Sequence, residues 1–171
     1  MGVIPEGLKE FAEPLLVDDS YVTNELMLYN LWNNFDNDRE VYLNKTKDII
    51  GLPNKNVRLL WLTLALITPK YNSSEKITYL EELLGYTAST YNPEVRQIAF
   101  QYLNEIKALK GDGILNLIKA TNHHSWQFRN FSRQLLNSLL KDDLKKKEIV
   151  NAVKQLNSSD LRYIKTKLNL P

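Results

Sequence analysis

Three short stretches of the chain repeat one pattern and decide its fold: "NVRLLWLTLAL" (residues 56–66), "EVRQIAFQYL" (94–103) and "QFRNFSRQLL" (127–136). The first two carry Val-Arg near their start and the third carries Phe-Arg. Each then places apolar residues at helical spacing, which puts them on one face of an α-helix. We therefore predict three equivalent amphipathic helices. The first is apolar nearly all round, which predicts a central helix covered on both sides.

The helical pattern recurs with a period near 35 residues. The copies begin at Val57, Val95 and Phe128, with spacings of 38 and 33 residues, and a fainter copy begins at Val22, 35 residues before the first. Shorter amphipathic segments lie between and after the copies, at residues 38–50, 74–86, 113–121, 141–156 and 158–168. Two helices per period are typical of α-solenoids, in which each pair buries its apolar face on the next pair.

The predicted fold class is therefore all-α, an α-α superhelix or HEAT-like solenoid of antiparallel helix pairs. No segment of useful length alternates apolar and polar residues, so we predict no strand. Residues 1–17 are interpreted as a linker or an expression-derived leader, and residues 18–171 as a single helical-repeat domain. A chain of 171 residues is long enough to bury a sizeable core.

The residues at the segment starts support these helix positions. Asn92, Pro93 and Glu94 place a capping amide, a helix-initiating proline and a first-turn acid in order. Asn54 is predicted to cap the helix of the first copy and Ser125 the helix of the third.

Composition excludes several kinds of partner. The net charge is +2, so no nucleic-acid partner is predicted. The only basic run is residues 145–147, and the acidic residues beside it indicate a solvated helix face. No apolar run reaches the roughly 18 residues of a membrane span, so no membrane partner is predicted. Cysteine is absent, which excludes disulfides and a thiol nucleophile.

No motif in the chain indicates catalysis. The two histidines, His123 and His124, are adjacent, and side chains of helical neighbours diverge, so they are poor ligands for one ion. The zinc spacing H-E-x-x-H, a Gly-rich phosphate loop and a Gly-x-Ser-x-Gly elbow are all absent. We predict no catalytic residue, no metal ligand and no cofactor-binding residue in this chain, and hence a structural or binding module.

The recurring arginine near the start of each copy is the one charged feature of the repeat. Arg58, Arg96 and Arg129 are candidate groove or inter-repeat charges, and contact with a neighbouring repeat is the favoured interpretation. Trp61 lies on the apolar stripe and is predicted to pack in the core.

Four stretches taken together, "LMLYNLWNNF", "NVRLLWLTLAL", "YNPEVRQIAFQYL" and "ATNHHSWQFRNFSRQLL", carry a family resemblance. In this order they resemble the C-terminal helical domain of zinc aminopeptidases of the aminopeptidase N family, especially Bacteroidetes-type bacterial members. The resemblance covers roughly residue 18 to the end of the chain. It depends on the order and spacing of the stretches, because none of them is diagnostic alone.

The resemblance implies a non-catalytic role. In that family an upstream catalytic domain carries H-E-x-x-H, a distal glutamate and a Gly-x-Met-Glu-Asn motif. This chain has none of them, so no catalytic residue is carried over, and zinc is expected only in the missing catalytic domain. The implied role is to pack against that domain through an apolar flank and to limit peptide access to the active site. The implied partners are the catalytic domain and, indirectly, peptide substrates.

Other interpretations stay open. A freestanding HEAT-like adaptor that binds a partner protein is the main alternative. A small independent hydrolase would need chemistry that the chain does not show. The compartment is open as well: the parent enzyme would be cytoplasmic or exported to the periplasm.

Overall fold

Helices joined by turns and short loops make up the described part of the chain. A computed structural model describes residues 4–157 and 159–168. Residues 1–3 of the predicted leader, Ser158 at the predicted start of the last helix, and residues 169–171 lie outside the described residues. The described part contains no strand, which confirms the all-α prediction.

From α2 onward, the described helices follow the predicted segments, whereas α1 lies in the predicted leader. The α-helices are α1 (Lys9–Ala12), α2 (Tyr21–Asn34), α3 (Arg39–Thr46), α4 (Asn56–Ile67), α5 (Lys76–Gly85), α6 (Pro93–Glu105), α7 (Asp112–Ala120), α8 (Trp126–Leu139), α9 (Asp143–Val153) and α10 (Arg162–Leu168). Short 3₁₀ helices occupy Glu6–Leu8, Glu13–Val17, Asp36–Asp38 and Ser73–Glu75. The four copies of the sequence pattern are α2, α4, α6 and α8, and the shorter predicted segments correspond to α3, α5, α7, α9 and α10.

The chain divides into two compact units, Met1–Leu83 and Leu84–Pro171. Such a division is also expected within a linear array, because each repeat of an array contacts only its neighbours. The single helical-repeat domain over residues 18–171 therefore stays a prediction.

The first unit is built around α4. Seven of its apolar residues are at most 4% exposed, namely Val57, Leu59, Leu60, Trp61, Leu62, Leu64 and Ala65, so the predicted central helix is confirmed. The Trp61 ring meets the Tyr71 and Tyr79 rings edge to face at 6.2 and 5.0 Å. Its indole N–H donates to the Leu43 carbonyl at 2.7 Å, so the buried tryptophan has its polar atom paired.

Residues 6–17, interpreted from the sequence as part of a leader, pack onto α2. Leu16 is fully buried, and the Asn24 side-chain amide donates to the Leu16 and Asp18 carbonyls at 3.1 and 3.0 Å. The Lys9 ammonium pairs with the Asp38 carboxylate at 2.6 Å. This segment therefore belongs to the packed first unit, while its origin as a linker or a leader stays a prediction.

The second unit has an aliphatic and phenylalanine core. Phe100 on α6 and Phe128 on α8 stack with ring centroids 6.3 Å apart. The fully buried aliphatic side chains around them are Leu103, Ile114, Leu117, Ile118, Leu136, Ile149 and Ile164. Helix α8 packs against α6 and α7, and α9 packs against α7.

The helix starts agree only partly with the capping residues predicted from the sequence. The Asn92 side chain accepts from the Val95 N–H at 2.9 Å, and Pro93 is the first residue of α6, as predicted. Ser125 occupies the N-cap position of α8, although its side chain makes no capping hydrogen bond. The N-cap of α4 is Lys55 with φ 57°, so the prediction of Asn54 at that position is wrong. The left-handed turn at Lys55 displaces the helix start by one residue.

Candidate functional site

Each of the three recurring arginines occupies a different environment. Arg58 on α4 pairs with Glu82 on α5, with Nε–Oε1 and Nη2–Oε2 distances of 2.9 and 2.6 Å. Its Nη1 donates to the Lys47 carbonyl at 3.0 Å, and its guanidinium lies 4.7 Å from the centre of the Trp61 ring. All of these contacts hold elements of the first unit together.

Arg96 is a buried cation inside the second unit. Its side chain is on the covered face of α6, and the residue is only 4% exposed. Its Nε donates to the Thr87 carbonyl at 3.0 Å, and its guanidinium lies 4.8 Å from the centre of the Phe128 ring. Burial lowers the pKa of Arg96 below its ordinary value. The buried face of α6 therefore includes a charged residue, Arg96, beside the apolar residues that the repeated pattern predicts there.

Arg129 on α8 contacts the turn that follows α7. Its Nη1 donates to the His123 carbonyl at 2.9 Å and to the His124 carbonyl at 3.3 Å. One turn further along α8, the Arg133 Nε donates to the Thr121 carbonyl at 2.9 Å. Arg133 thus satisfies the carbonyl of the α7 C-cap residue, at the negative end of the helix dipole, whereas Arg129 holds the turn beyond it.

A cationic cleft lies where α8 and α10 meet, and Arg129 is one of the residues that line it. The cleft has a volume of about 650 Å³ and is lined by Asn122, Arg129, Arg133, Arg162, Tyr163, Thr166 and Lys167. Four of these seven residues are cations, and no carboxylate lines the cleft among the described residues. We call these seven residues the cationic cleft.

The positive charge of the cationic cleft is not neutralised from within the described chain. None of its four cations forms an ion pair with a described carboxylate. The side chains of Arg162 and Lys167 donate no hydrogen bond to a described residue. Arg133 and Lys167 both lie over the ring of Tyr163, at 4.5 and 5.7 Å from its centre. The Tyr163 hydroxyl is itself held by the side-chain amide of Asn137 at 2.8 Å.

Sequence reasoning found one of the four cations and missed the other three. A signal was present, because Arg129 and Arg133 are four residues apart on one helix and therefore share a face. The same spacing joins Arg162 to Thr166 on α10. Only the packing of α10 beside α8 brings the two sets together.

A second surface of interest is apolar and lies at the start of α2. Tyr21, Val22 and Leu52 line one small cavity of about 110 Å³, and Leu26 lies one turn beyond Val22 on the same face. Val22 is 75% exposed, and Tyr21, Leu26 and Leu52 are exposed as well. We call these four residues the α2 apolar surface. Exposed apolar side chains in such a group are typical of a surface that another protein covers.

The two histidines are closer together than helical neighbours would be. They lie in the turn before α8, with ring centroids 4.1 Å apart, because the chain there is not helical. The Nδ1 of His123 accepts from the Ser125 N–H at 3.1 Å, and its ring meets Phe128 edge to face at 5.1 Å. In the part of the chain that the structure describes, no three His, Asp or Glu side chains are placed to hold one metal ion.

Comparison with known proteins identifies no relative. No family model, no curated protein and no solved structure matches the chain significantly. Among the described helices, none combines the length and the apolar character that crossing a membrane requires.

Proposed function

We propose that this chain is a non-catalytic helical domain of a zinc aminopeptidase, arranged as a HEAT-like solenoid. In this role it packs against the enzyme's catalytic domain and limits the access of peptides to the active site. The four stretches that resemble the aminopeptidase N family support the proposal, since each contributes to a helix: α2, α4, α6 and α8.

The observation that best supports packing against a catalytic domain is the α2 apolar surface. Burying exposed aliphatic and aromatic side chains stabilises a complex by about 25 cal/mol per Å² of apolar area. Val22 and Leu26 are one turn apart, so a single partner surface can cover both. The partner proposed for this surface is the catalytic domain.

The coding sequence upstream of Met1 gives the first test. The proposal requires an H-E-x-x-H motif with a distal glutamate several hundred residues upstream in the same reading frame. An unrelated gene or an untranslated region in that place would contradict the proposal and would favour the freestanding adaptor.

An add-back experiment tests the role itself. The parent aminopeptidase without its helical domain would be assayed on short and long peptides, with and without the 171-residue chain. We expect the added chain to bind and to change the preference for peptide length. The double variant Val22→Asp/Leu26→Asp should lose both effects.

The variant Leu144→Asp is the matched control, because Leu144 is an exposed leucine on α9, outside the α2 apolar surface. It should behave as the unaltered chain does. If the control and the double variant lose binding equally, docking through the α2 apolar surface is contradicted.

A further inference from the structure

We propose that the cationic cleft binds a ligand that carries two or more phosphate groups. This inference goes beyond the proposed function and does not depend on it. Four cations converge on the volume of the cleft, and no described carboxylate lines it.

The donors of the cleft match the geometry of phosphate. A guanidinium presents several N–H groups in a fixed plane and binds phosphate oxygens in pairs, while an ammonium adds a mobile point charge. Arg129 and Arg133 each use one nitrogen on a backbone carbonyl, which fixes their orientation and leaves other N–H groups unused by those bonds. The amide of Asn122 and the hydroxyl of Thr166 add neutral groups to the same lining.

The size of the cleft distinguishes a polyphosphate from a single ion. Its volume of about 650 Å³ falls in the range of clefts that hold small-molecule ligands, roughly 300–1,000 Å³. One carboxylate would neutralise only one of the four cations. A ligand with several phosphates would neutralise most of them and would reach both α8 and α10.

The Tyr163 ring limits what else the ligand can be. The cations of Arg133 and Lys167 already lie over it, so the ring is not a free platform for a stacked base. The cleft is therefore better suited to the phosphates of a ligand than to the bases of a nucleic acid. A free polyphosphate and a phosphorylated lipid headgroup offer the same chemistry.

Calorimetric titration of the 171-residue chain with myo-inositol hexakisphosphate tests the proposal. We expect one ligand per chain and an affinity that falls with added salt, as charge-driven binding does. Inorganic triphosphate should compete for the same site.

A vesicle-binding experiment distinguishes a lipid headgroup from a free polyphosphate. Binding only to vesicles that contain phosphatidylinositol bisphosphate would assign a lipid headgroup. Binding to neither kind of vesicle would assign a soluble ligand.

Two matched double variants distinguish binding in the cationic cleft from non-specific attraction to positive charge elsewhere on the surface. Arg162→Gln/Lys167→Gln removes two cleft cations that hold no described hydrogen bond, so the fold should persist, and circular dichroism would verify it. We expect this variant to raise the Kd for inositol hexakisphosphate roughly tenfold or more. Lys146→Gln/Lys147→Gln removes the same charge from exposed positions on α9 and should leave the Kd unchanged.

Three results would overturn the proposal. The first is an equal loss of affinity in both double variants, which would indicate non-specific attraction. The second is an unchanged Kd in the cleft variant. The third is binding of a peptide with a free C-terminal carboxylate, but not of its amide, together with no binding of either phosphate ligand.

Discussion

The guanidinium of Arg58 and the carboxylate of Glu82 form a two-pronged pair that connects α4 to α5. Two parallel hydrogen bonds of 2.9 and 2.6 Å give the pair a defined geometry. The side chains are 19% and 32% exposed, so water screens the pair only in part. Because the same guanidinium also reaches the Lys47 carbonyl and covers Trp61, it connects three parts of the first unit.

A double-mutant cycle with Arg58→Ala and Glu82→Ala should measure a coupling free energy of about 1 kcal/mol. That is near the upper end for exposed pairs, because the geometry is bidentate and partly buried. Urea unfolding of the four proteins provides the measurement. Arg58→Lys should recover less than half of the coupling, since an ammonium cannot form both hydrogen bonds. A coupling near zero would mean that the pair contributes nothing to stability.

Arg96 should contribute more to stability than either of the other two recurring arginines. Arg96→Ala removes the donor to the Thr87 carbonyl and the cation over Phe128, and it leaves a gap under α6. We expect a loss of roughly 2–3 kcal/mol in the free energy of unfolding. Gln101→Ala on the exposed side of α6 is the control and should change stability by less than about 0.5 kcal/mol.

Arg96→Met separates packing from charge, because it keeps most of the side-chain volume without the cation. If Arg96→Met is as stable as the original chain, then the stability lost in Arg96→Ala comes from the packing of the arginine stem and not from its charge. If Arg96→Ala itself is neutral, then the contribution assigned to Arg96 is wrong.

The stability of the second unit should fall as the pH drops below about 6.5. Burial, the neighbouring His124 and the cations Arg96 and Arg129 lower the pKa of His123 below its ordinary value of 6.5. The unfolded chain therefore binds a proton at higher pH than the folded chain does, and protons favour unfolding in this range. The loss levels off once the pH is below the lowered pKa.

Denaturation of His123→Gln at several pH values between about 7 and 5 measures this contribution. Between these pH values, His123→Gln should lose less stability than the unaltered chain, because the titration of His123 no longer contributes. His124→Gln should show a smaller acid-dependent loss than the unaltered chain, because one cause of the lowered pKa is gone. If the stability of His123→Gln depends on pH in the same way as that of the unaltered chain, then His123 does not cause the acid-dependent loss of stability.

Gly51 should be intolerant of a side chain, whereas Gly85 should tolerate one. Gly51 has φ of +77°, and a Cβ there would lie 2.8 Å from the backbone nitrogen of Val57. We expect Gly51→Ala to cost roughly 2 kcal/mol or more, since both the backbone conformation and the contact oppose it. Gly85→Ala meets no atom within 4 Å and sits in α5, so it should be neutral or stabilising by at most about 1 kcal/mol. Thermal unfolding of both variants decides between these expectations.

Much of the fold was predictable from the sequence because helix periodicity is a local property. The stripe beginning at Val57 defines α4, and the Asn92-Pro93 pair defines the start of α6. The start of α4 was not predictable, because it depends on a left-handed turn at Lys55. The buried face of α6 also differed from the apolar stripe: a charged side chain, Arg96, is covered there because a carbonyl and an aromatic ring receive it.

The cationic cleft could be predicted only in part. The four-residue spacing of Arg129 and Arg133 shows that they share a helix face, and the spacing of Arg162 and Thr166 shows the same for α10. Nothing in either helix specifies that the two faces meet, because that depends on how α10 packs. The interpretation of the adjacent histidines also changed, since the turn before α8 brings their rings together.

By itself, the sequence determined the helical content, the approximate positions of the helices from α2 onward and the apolar character of α4. These follow from periodic burial and from capping residues, which act within a few residues along the chain. The tertiary structure alone decided which charged groups meet. The pairing of Arg58 with Glu82, the burial of Arg96 and the convergence of four cations between α8 and α10 join residues that are distant in sequence. Such contacts depend on the packing of whole helices, which local periodicity does not specify.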